Sequence, residues 1–298
     1  MKRLNKLSID DQEIFIRYLT LAKHELSVYS FVNIYIWKGL FDIRWAIIEG
    51  SLCVFLKDKI GCFLYLAPLG ERFNPAAITE AFEIMDSFNS HKQISRVENV
   101  EQRDLADYRH LGYDCIEKSE DYVCGRDDLV QLKGGRFKSK RSAGNYFLKH
   151  YNFECAPFSK NHKNACLELY NLWAEQRKAK IKDSFYQGML EDSLSPLKVL
   201  LDDYPDLNCI GKVVKISGQI KGFTFGFKLN SDTYCVLYEI TDLTIKGLAQ
   251  FIFREFCREL NGYKYINVMD DSGLENLKKV KLSYQPVRLI PSYIVQRK

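Results

Sequence analysis

The sequence predicts an α+β protein made of two copies of one unit. Three observations carry this. First, each half has the same order of elements: leading helices, a three-stranded meander, then helix, strand, helix and closing strands. Second, LGYDCIEKSEDYVCGR (111–126) aligns without a gap on LSYQPVRLIPSYIVQR (282–297), so that Leu111, Tyr113, Tyr122 and Arg126 fall on Leu282, Tyr284, Tyr293 and Arg297. Third, the two copies are joined by a stretch of unusual composition. From Leu129 to Phe153 there is no acidic residue, and the stretch carries Lys133, Arg136, Lys138, Lys140, Arg141 and Lys149. The expected organisation is residues 1–127, a basic linker helix over 128–155, and residues 156–298.

In order along the chain, Ile9–Glu25 has the spacing of an amphipathic helix, with Ser8 or Asp10 as cap. Ser30–Phe41 is aromatic-rich and reads as partly extended. Strands follow near 42–48, 51–56 and 61–66, with Glu49-Gly50 and 57–60 as turns. Asn74-Pro75 opens a helix, asparagine as cap and proline at the first helical position. A strand at 94–100, a helix at 101–111 and two short strands complete the first half. The second half has helices near 162–177 and 183–201 and strands near 209–216, 220–227 and 233–240. A long helix after Thr244, a strand at 265–269, a helix at 273–284 and closing strands to Arg297 follow.

Composition bounds the function. Hydrophobic residues make up 46% of the 298 residues and charged residues 27%, which describes a globular chain and not a disordered one. A net charge of +5 permits an anionic partner without demanding one. The nine cysteines include no CxxC pair, so free thiols are expected in place of a disulfide framework or a zinc site. The five histidines lack metal-ligand spacing and none follows His162, so the second half has no histidine triad and no metal is expected. There is no P-loop, no GxGxxG after a strand and no GxSxG. The start, MKRLNKLSIDDQEIF, lacks the apolar core of a signal peptide, and no apolar run approaches the ~20 residues of a membrane span. The expected location is the cytoplasm, with peripheral contact to anionic membrane lipid as a further expectation.

The chemistry is expected in Thr233–Tyr284, where strand, loop, helix and strand bring a helix N-terminus beside the open ends of two strands. Thr241, Asp242 and Thr244 are candidate caps, Lys246 stands where a phosphate would sit, and Gly247 permits close approach. An ordinary capped helix has the same signature. Glu239 ends an apolar strand and is a candidate general base; solvation at the sheet edge explains it equally well. Asp270 and Asp271 are placed to bind or deprotonate an amine or to cap the next helix. In that helix Leu274, Leu277, Val280 and Tyr284 mark a buried face. Lys281 borders it and either points into a site or is solvated, and Tyr284 either donates a proton or fills the core. Gly134-Gly135 and the basic residues of the joining segment suit phosphate contacts, or form a solvated helix face.

Specific strings carry a family resemblance: SFVNIYIWKGLFDIRWAIIEGSLCVFL (30–56), YLAPLG (65–70), DYVCGRDDLVQLKGGRFKSKR (121–141), YEITDLTIKGLAQFIFREF (238–256) and NVMDDSGLENLKKVKLSYQPVRLIPSY (267–293). With the element order, they resemble the family of the C-terminal domain of phosphatidylglycerol lysyltransferase, a tandem GNAT acyltransferase fold. The resemblance implies two GNAT-like domains, each a mixed, mostly antiparallel sheet with flanking helices, the second one catalytic. It implies aminoacyl-tRNA as donor substrate, no permanently bound cofactor, and transfer to a lipid hydroxyl. Glu239, Asp271, Lys281 and Tyr284 would then be catalytic. Thr241, Thr244, Lys246, Gly247 and Asn267 would hold the donor. Lys133, Arg136, Lys138, Lys140, Arg141 and Asn145 would meet tRNA phosphates, and Lys140, Arg141 and Asn145 match the family's basic motif. DNA is not an implied partner. Two departures stand out. Ser139-Lys140-Arg141-Ser142 replaces the frequent Lys-Lys-Arg-Asn, and the 241–247 loop lacks the Q/R-x-x-G-x-G/A of acetyl-CoA enzymes. The alternatives are a coenzyme A-dependent N-acyltransferase using acetyl-CoA or another acyl-CoA, and a non-catalytic RNA- or ligand-binding module on a degenerate GNAT scaffold.

Overall fold

The structure, a computed structural model, describes residues 4–298; the first three residues of the basic start lie outside the described residues. In chain order the elements are β1 (Asn5–Lys6), α1 (Gln12–Leu19), α2 (Phe31–Ile36), β2 (Asp42–Ile48), β3 (Ser51–Lys57), β4 (Cys62–Leu64), α3 (Pro75–Phe88), β5 (Arg96–Glu101), α4 (Leu105–His110), β6 (Tyr113–Gly125), α5 (Arg126–Gln131), α6 (Lys138–His150), β7 (Phe153–Pro157), α7 (Lys163–Lys180), α8 (Ser184–Asp192), α9 (Leu194–Asp203), β8 (Cys209–Ile216), β9 (Gln219–Lys228), β10 (Thr233–Thr241), α10 (Leu248–Glu259), β11 (Tyr265–Asn267), α11 (Glu275–Leu282) and β12 (Arg288–Arg297).

Packing divides the chain into two units: the chain up to Asp121 with Ile290–Lys298, and Tyr122–Leu289. In the first, β1 to β4 form an antiparallel meander, β4 pairs parallel with β5, and β5 pairs antiparallel with β12. In the second, β7 to β10 form the antiparallel meander, β10 pairs parallel with β11, and β11 pairs antiparallel with the last residues of β6. The parallel step is bridged by α3 in one unit and α10 in the other. The repeated α+β unit is therefore present as topology. Each unit takes its closing strand from the sequence of the other half. The expected assignment had kept residues 290–298 with the second half and set residues 128–155 apart as a linker. In the structure β12 lies against β5, and α6 packs on α10 inside the second unit.

Local chemistry accounts for most elements. Asn74 accepts from the Ala77 N–H at 3.2 Å, with Pro75 at the first helical position, so α3 begins where the sequence sets it. Arg126 donates to the carbonyls of Cys257 and Arg258 at the end of α10 (3.0 and 2.9 Å). Its repeat counterpart Arg297 binds Asp86 near the end of α3 at 2.5 Å.

Several expectations are corrected. Ser30–Phe41 is not extended: Phe31–Ile36 is a helix whose side chains are all buried, so no amphipathic period marks it. The first helix stops at Leu19. The closing strands of each half are single long strands, β6 and β12. The helix expected over 183–201 breaks at Ser193 into α8 and α9. α11 buries no residue fully, and Val280, expected on its inner face, is 52% exposed, whereas Leu274, Leu277 and Tyr284 are half-buried. Among the described residues no helix is long and apolar enough to cross a membrane.

Candidate active site

The site lies in the second unit, where β10 loses one neighbour. β10 pairs with β9 from Tyr234 to Thr241, but with β11 only from Thr233 to Cys235. β11 then follows β6: the Val268 N–H donates to the Tyr122 carbonyl at 2.9 Å. The side of β10 beyond Cys235 that faced β11 is left without a strand partner, and residues 237–239 keep partial solvent access in an otherwise buried strand.

A β-bulge decides which side chain enters this gap. The β10–β9 register slips between Val236 and Tyr238, leaving Leu237 as the extra residue. Val236 opposes Gly226 and Glu239 opposes Thr224, so Val236 and Glu239 share a face although three positions separate them. That face is the α10 face: a Cβ on Gly226 would press on Phe256, and one on Gly222 on Leu248 and Ile252. Tyr238 opposes Phe225 on the other face, where its hydroxyl donates to the Ser193 carbonyl at 3.0 Å. Without the bulge Glu239 would face away from α10.

Around Glu239 stand Lys140 from α6 and Tyr284 from the turn after α11. Glu239 is half-buried. No hydrogen bond holds it among the described residues. Burial pushes its pKa up to about 8, opposed by the charge of Lys140. Lys140 is shifted the other way: burial lowers its pKa and Glu239 counteracts. Its Nζ lies over the Tyr284 ring at 4.2 Å. Tyr284 packs edge-on against Phe253 at 4.8 Å, and burial followed by the Glu239 charge raises its pKa. Beneath them a core of Cys124, Val236, Phe253, Phe256 and Cys257 excludes water. The arrangement offers a carboxyl that takes or returns a proton near neutral pH, a cation and a phenol in one half-buried cluster.

Lys140, expected among the phosphate contacts, is the one of them that stands beside Glu239 and Tyr284. The sequence holds a signal for this. Phe137, Gly144 and Phe147 are the buried stripe of the α6 segment, and Lys140 falls on that stripe three residues after Phe137. Of the remaining basic candidates, Arg141 donates to the Leu132 and Gly134 carbonyls, and Arg136 is exposed and pairs with Asp128 at 3.2 Å. Lys133, Lys138 and Asn145 are exposed.

The other candidates have structural partners. Asp271 accepts from the Tyr122 hydroxyl at 2.6 Å and the Gly273 N–H at 2.9 Å, so it holds the turn before α11, whose cap position is Leu274. The Lys281 ammonium donates to the Val268 carbonyl at 2.6 Å and to that of Asp270, so it clamps the loop after β11. Asn267 is fully buried and accepts from the Met269 N–H at 2.7 Å. Thr241 is buried. Thr244 gives both its N–H and its hydroxyl to Asp242, which also binds Lys221 at 3.2 Å. Lys246 lies over the Tyr146 ring at 4.4 Å. Gly247, expected to permit close approach of a donor, has a φ of +85°, and a Cβ there would collide with the Ala143 carbonyl of α6. Among the described residues no group of three or more His, Cys, Asp or Glu is placed to hold a metal.

Twofold use of one meander-and-parallel-step unit, with a carboxylate in the strand gap, defines a tandem GNAT-type acyltransferase fold. Solved structures agree. A conserved protein of unknown function from Bacteroides thetaiotaomicron VPI-5482 superposes with a TM-score of 0.88 at 26% identity, covering 100% of both chains. L-PGS from Bacillus licheniformis superposes with a TM-score of 0.69 at 18% identity, covering 100% of this chain and 94% of that one. A tandem GNAT protein from the clavulanic acid biosynthesis pathway gives 0.52 at 10% identity, covering 98% and 97%. No curated protein matches the sequence. The chain belongs to the family described as phosphatidylglycerol lysyltransferase, C-terminal, which it matches over residues 19–296. Family and fold together point to an acyltransferase.

Proposed function

We propose that the protein moves an aminoacyl group from aminoacyl-tRNA to a hydroxyl or amine acceptor, with a lipid hydroxyl as the first candidate. The observation that carries this reading is Glu239: a half-buried glutamate in the β10 gap, its carboxyl pushed up to about 8 by burial, with Lys140 and Tyr284 beside it. The acceptor O–H or N–H attacks the ester carbon while the Glu239 carboxylate takes its proton. Lys140 faces the developing oxyanion. The ester C–O bond then breaks, and the proton held by Glu239 returns to the ribose oxygen of the leaving tRNA. No cofactor enters this sequence. Lys133, Lys138 and Asn145 on exposed surface supply contacts for tRNA phosphates, and a cytoplasmic location with peripheral contact to anionic lipid goes with this reading.

Support against a coenzyme A donor comes from the start of α10. There the Ala143 main chain presses on Gly247, and the buried Asp242 carboxylate occupies the preceding turn, which leaves a poor seat for a diphosphate. The test is discharge of charged tRNA pools in the presence of lipid and peptide acceptors, for wild type and Glu239→Gln, with acetyl-CoA run in parallel. Transfer by wild type and its loss in Glu239→Gln is the expected result. Discharge that is unchanged in Glu239→Gln, or transfer from acetyl-CoA alone, overturns the reading. Salt-dependent RNA binding without any turnover would favour a binding module instead.

A further inference from the structure

The first unit has a cavity of its own. It is partly open and offers ≈ 240 Å³ beyond the ends of the parallel pair β4–β5, beside the first turn of α3. Ligands in sheets with parallel steps favour that place, past the carboxyl ends of the strands. Water occupies about 30 Å³ per molecule in the liquid, so the space suits a molecule of amino-acid size.

The lining is specific in charge. Tyr108 has no exposed surface, and its hydroxyl has no hydrogen-bond partner among the described residues. An unpartnered buried hydroxyl is costly and calls for a partner. Asp104 also lines the cavity. After burial itself, its carboxylate is the largest influence raising the Tyr108 pKa, so carboxylate and hydroxyl act on the same region. Burial in turn raises the Asp104 pKa, with Arg103 opposing. Arg103 and His24 hold Glu101 at 2.6 and 2.9 Å, and Arg103 reaches Asp104 only at 3.7 Å, through its Nε. Arg72 is exposed at the start of α3 and makes no ion pair among the described residues. Asp104 and the Tyr108 hydroxyl therefore offer acceptors to a cationic donor, and Arg72 on the same lining offers a cation.

We propose that this cavity binds a small zwitterion of amino-acid size, its ammonium held by Asp104 and the Tyr108 hydroxyl oxygen and its carboxylate by Arg72. The site uses no residue of the second unit and stands or falls independently of the transferase reading.

The test is calorimetric titration of the full chain with a panel of free α-amino acids. N-acetyl amino acids, which lack the ammonium, and amino-acid amides, which lack the carboxylate, serve as controls. Saturable binding of at least one free amino acid and of neither control is expected. Tyr108→Phe and Arg72→Gln should each weaken binding by about tenfold or more, and Glu239→Gln should bind as wild type does. Because the hydroxyl has no protein partner, Tyr108→Phe without ligand should melt at or above the wild-type temperature. The proposal is overturned if no amino acid binds wild type, if either control binds as well, if both variants bind unchanged, or if Tyr108→Phe melts lower, which would mark the hydroxyl as satisfied by water.

Discussion

At Glu239 two influences oppose each other: burial raises the carboxyl to about 8, and Lys140 pulls it back. As a base it is competent only when ionised, so kcat/KM should rise with pH and level off above about 8. Lys140→Met removes the charge that holds the carboxyl down, so the rising limb should move to higher pH; a pH–rate profile of both proteins checks this. Stability runs the other way. The folded carboxyl keeps its proton up to about pH 8, whereas an unfolded one releases it near 4.5. Between those values folding takes up a proton, so this residue's contribution falls as pH rises through the window. Glu239→Gln should therefore be more stable than wild type at pH 9, by about 0.5–2 kcal/mol, with little difference at pH 4; denaturant midpoints at the two values measure it. Gly247→Ala is the opposite case. A left-handed backbone and a Cβ against Ala143 should cost roughly 2–4 kcal/mol, read as a lower midpoint of urea unfolding.

Among the elements, β10 and α6 build the site. The bulge at Leu237 places Glu239 on the α10 face. Exchanging the two side chains (Tyr238→Glu with Glu239→Tyr) should put the carboxylate opposite Phe225, on the face away from α10, and abolish transfer; circular dichroism separates this from unfolding. α6 carries two opposed surfaces. Its inner stripe of Gly144 and Phe147 seats the helix on α10, and that stripe carries Lys140 beside Glu239 and Tyr284. Its outer side leaves Lys138 and Lys149 exposed, with Lys133 just before the helix. Charge reversal of Lys133 and Lys138 should weaken binding of charged tRNA and lower the slope of log affinity against log salt by about 0.7–0.9 per lost phosphate contact. Filter binding at several salt concentrations reads both. If the slope is unchanged, this surface does not meet the nucleic acid.

For the whole molecule, the exchange of closing strands matters most. The first unit needs Ile290–Lys298: Val295 is fully buried and β5 pairs with β12. A chain ending at Leu289 should lose the cooperative unfolding of the first unit, seen in calorimetry as a missing or strongly lowered transition, because β5 would lose a partner strand.

The sequence by itself determined the repeated α+β plan, the Asn74-Pro75 helix start, the family resemblance and the stretch that holds Glu239. All of these rest on local spacing or on ordered strings, which need no knowledge of distant contacts. It left open whether each polar candidate was chemical or structural, and the tertiary structure alone separates them. Lys281, Asn267, Thr244 and Asp271 are engaged by partners two to 149 residues away. The extended reading of Phe31–Ile36 failed because a segment buried all round carries no period. The face of Glu239 depends on a single extra residue in a strand, visible only in the pairing with β9. Lys140 joins Glu239 across a separation of about a hundred residues because α6 packs on α10, and contacts made at that distance leave only a faint periodic trace in the sequence.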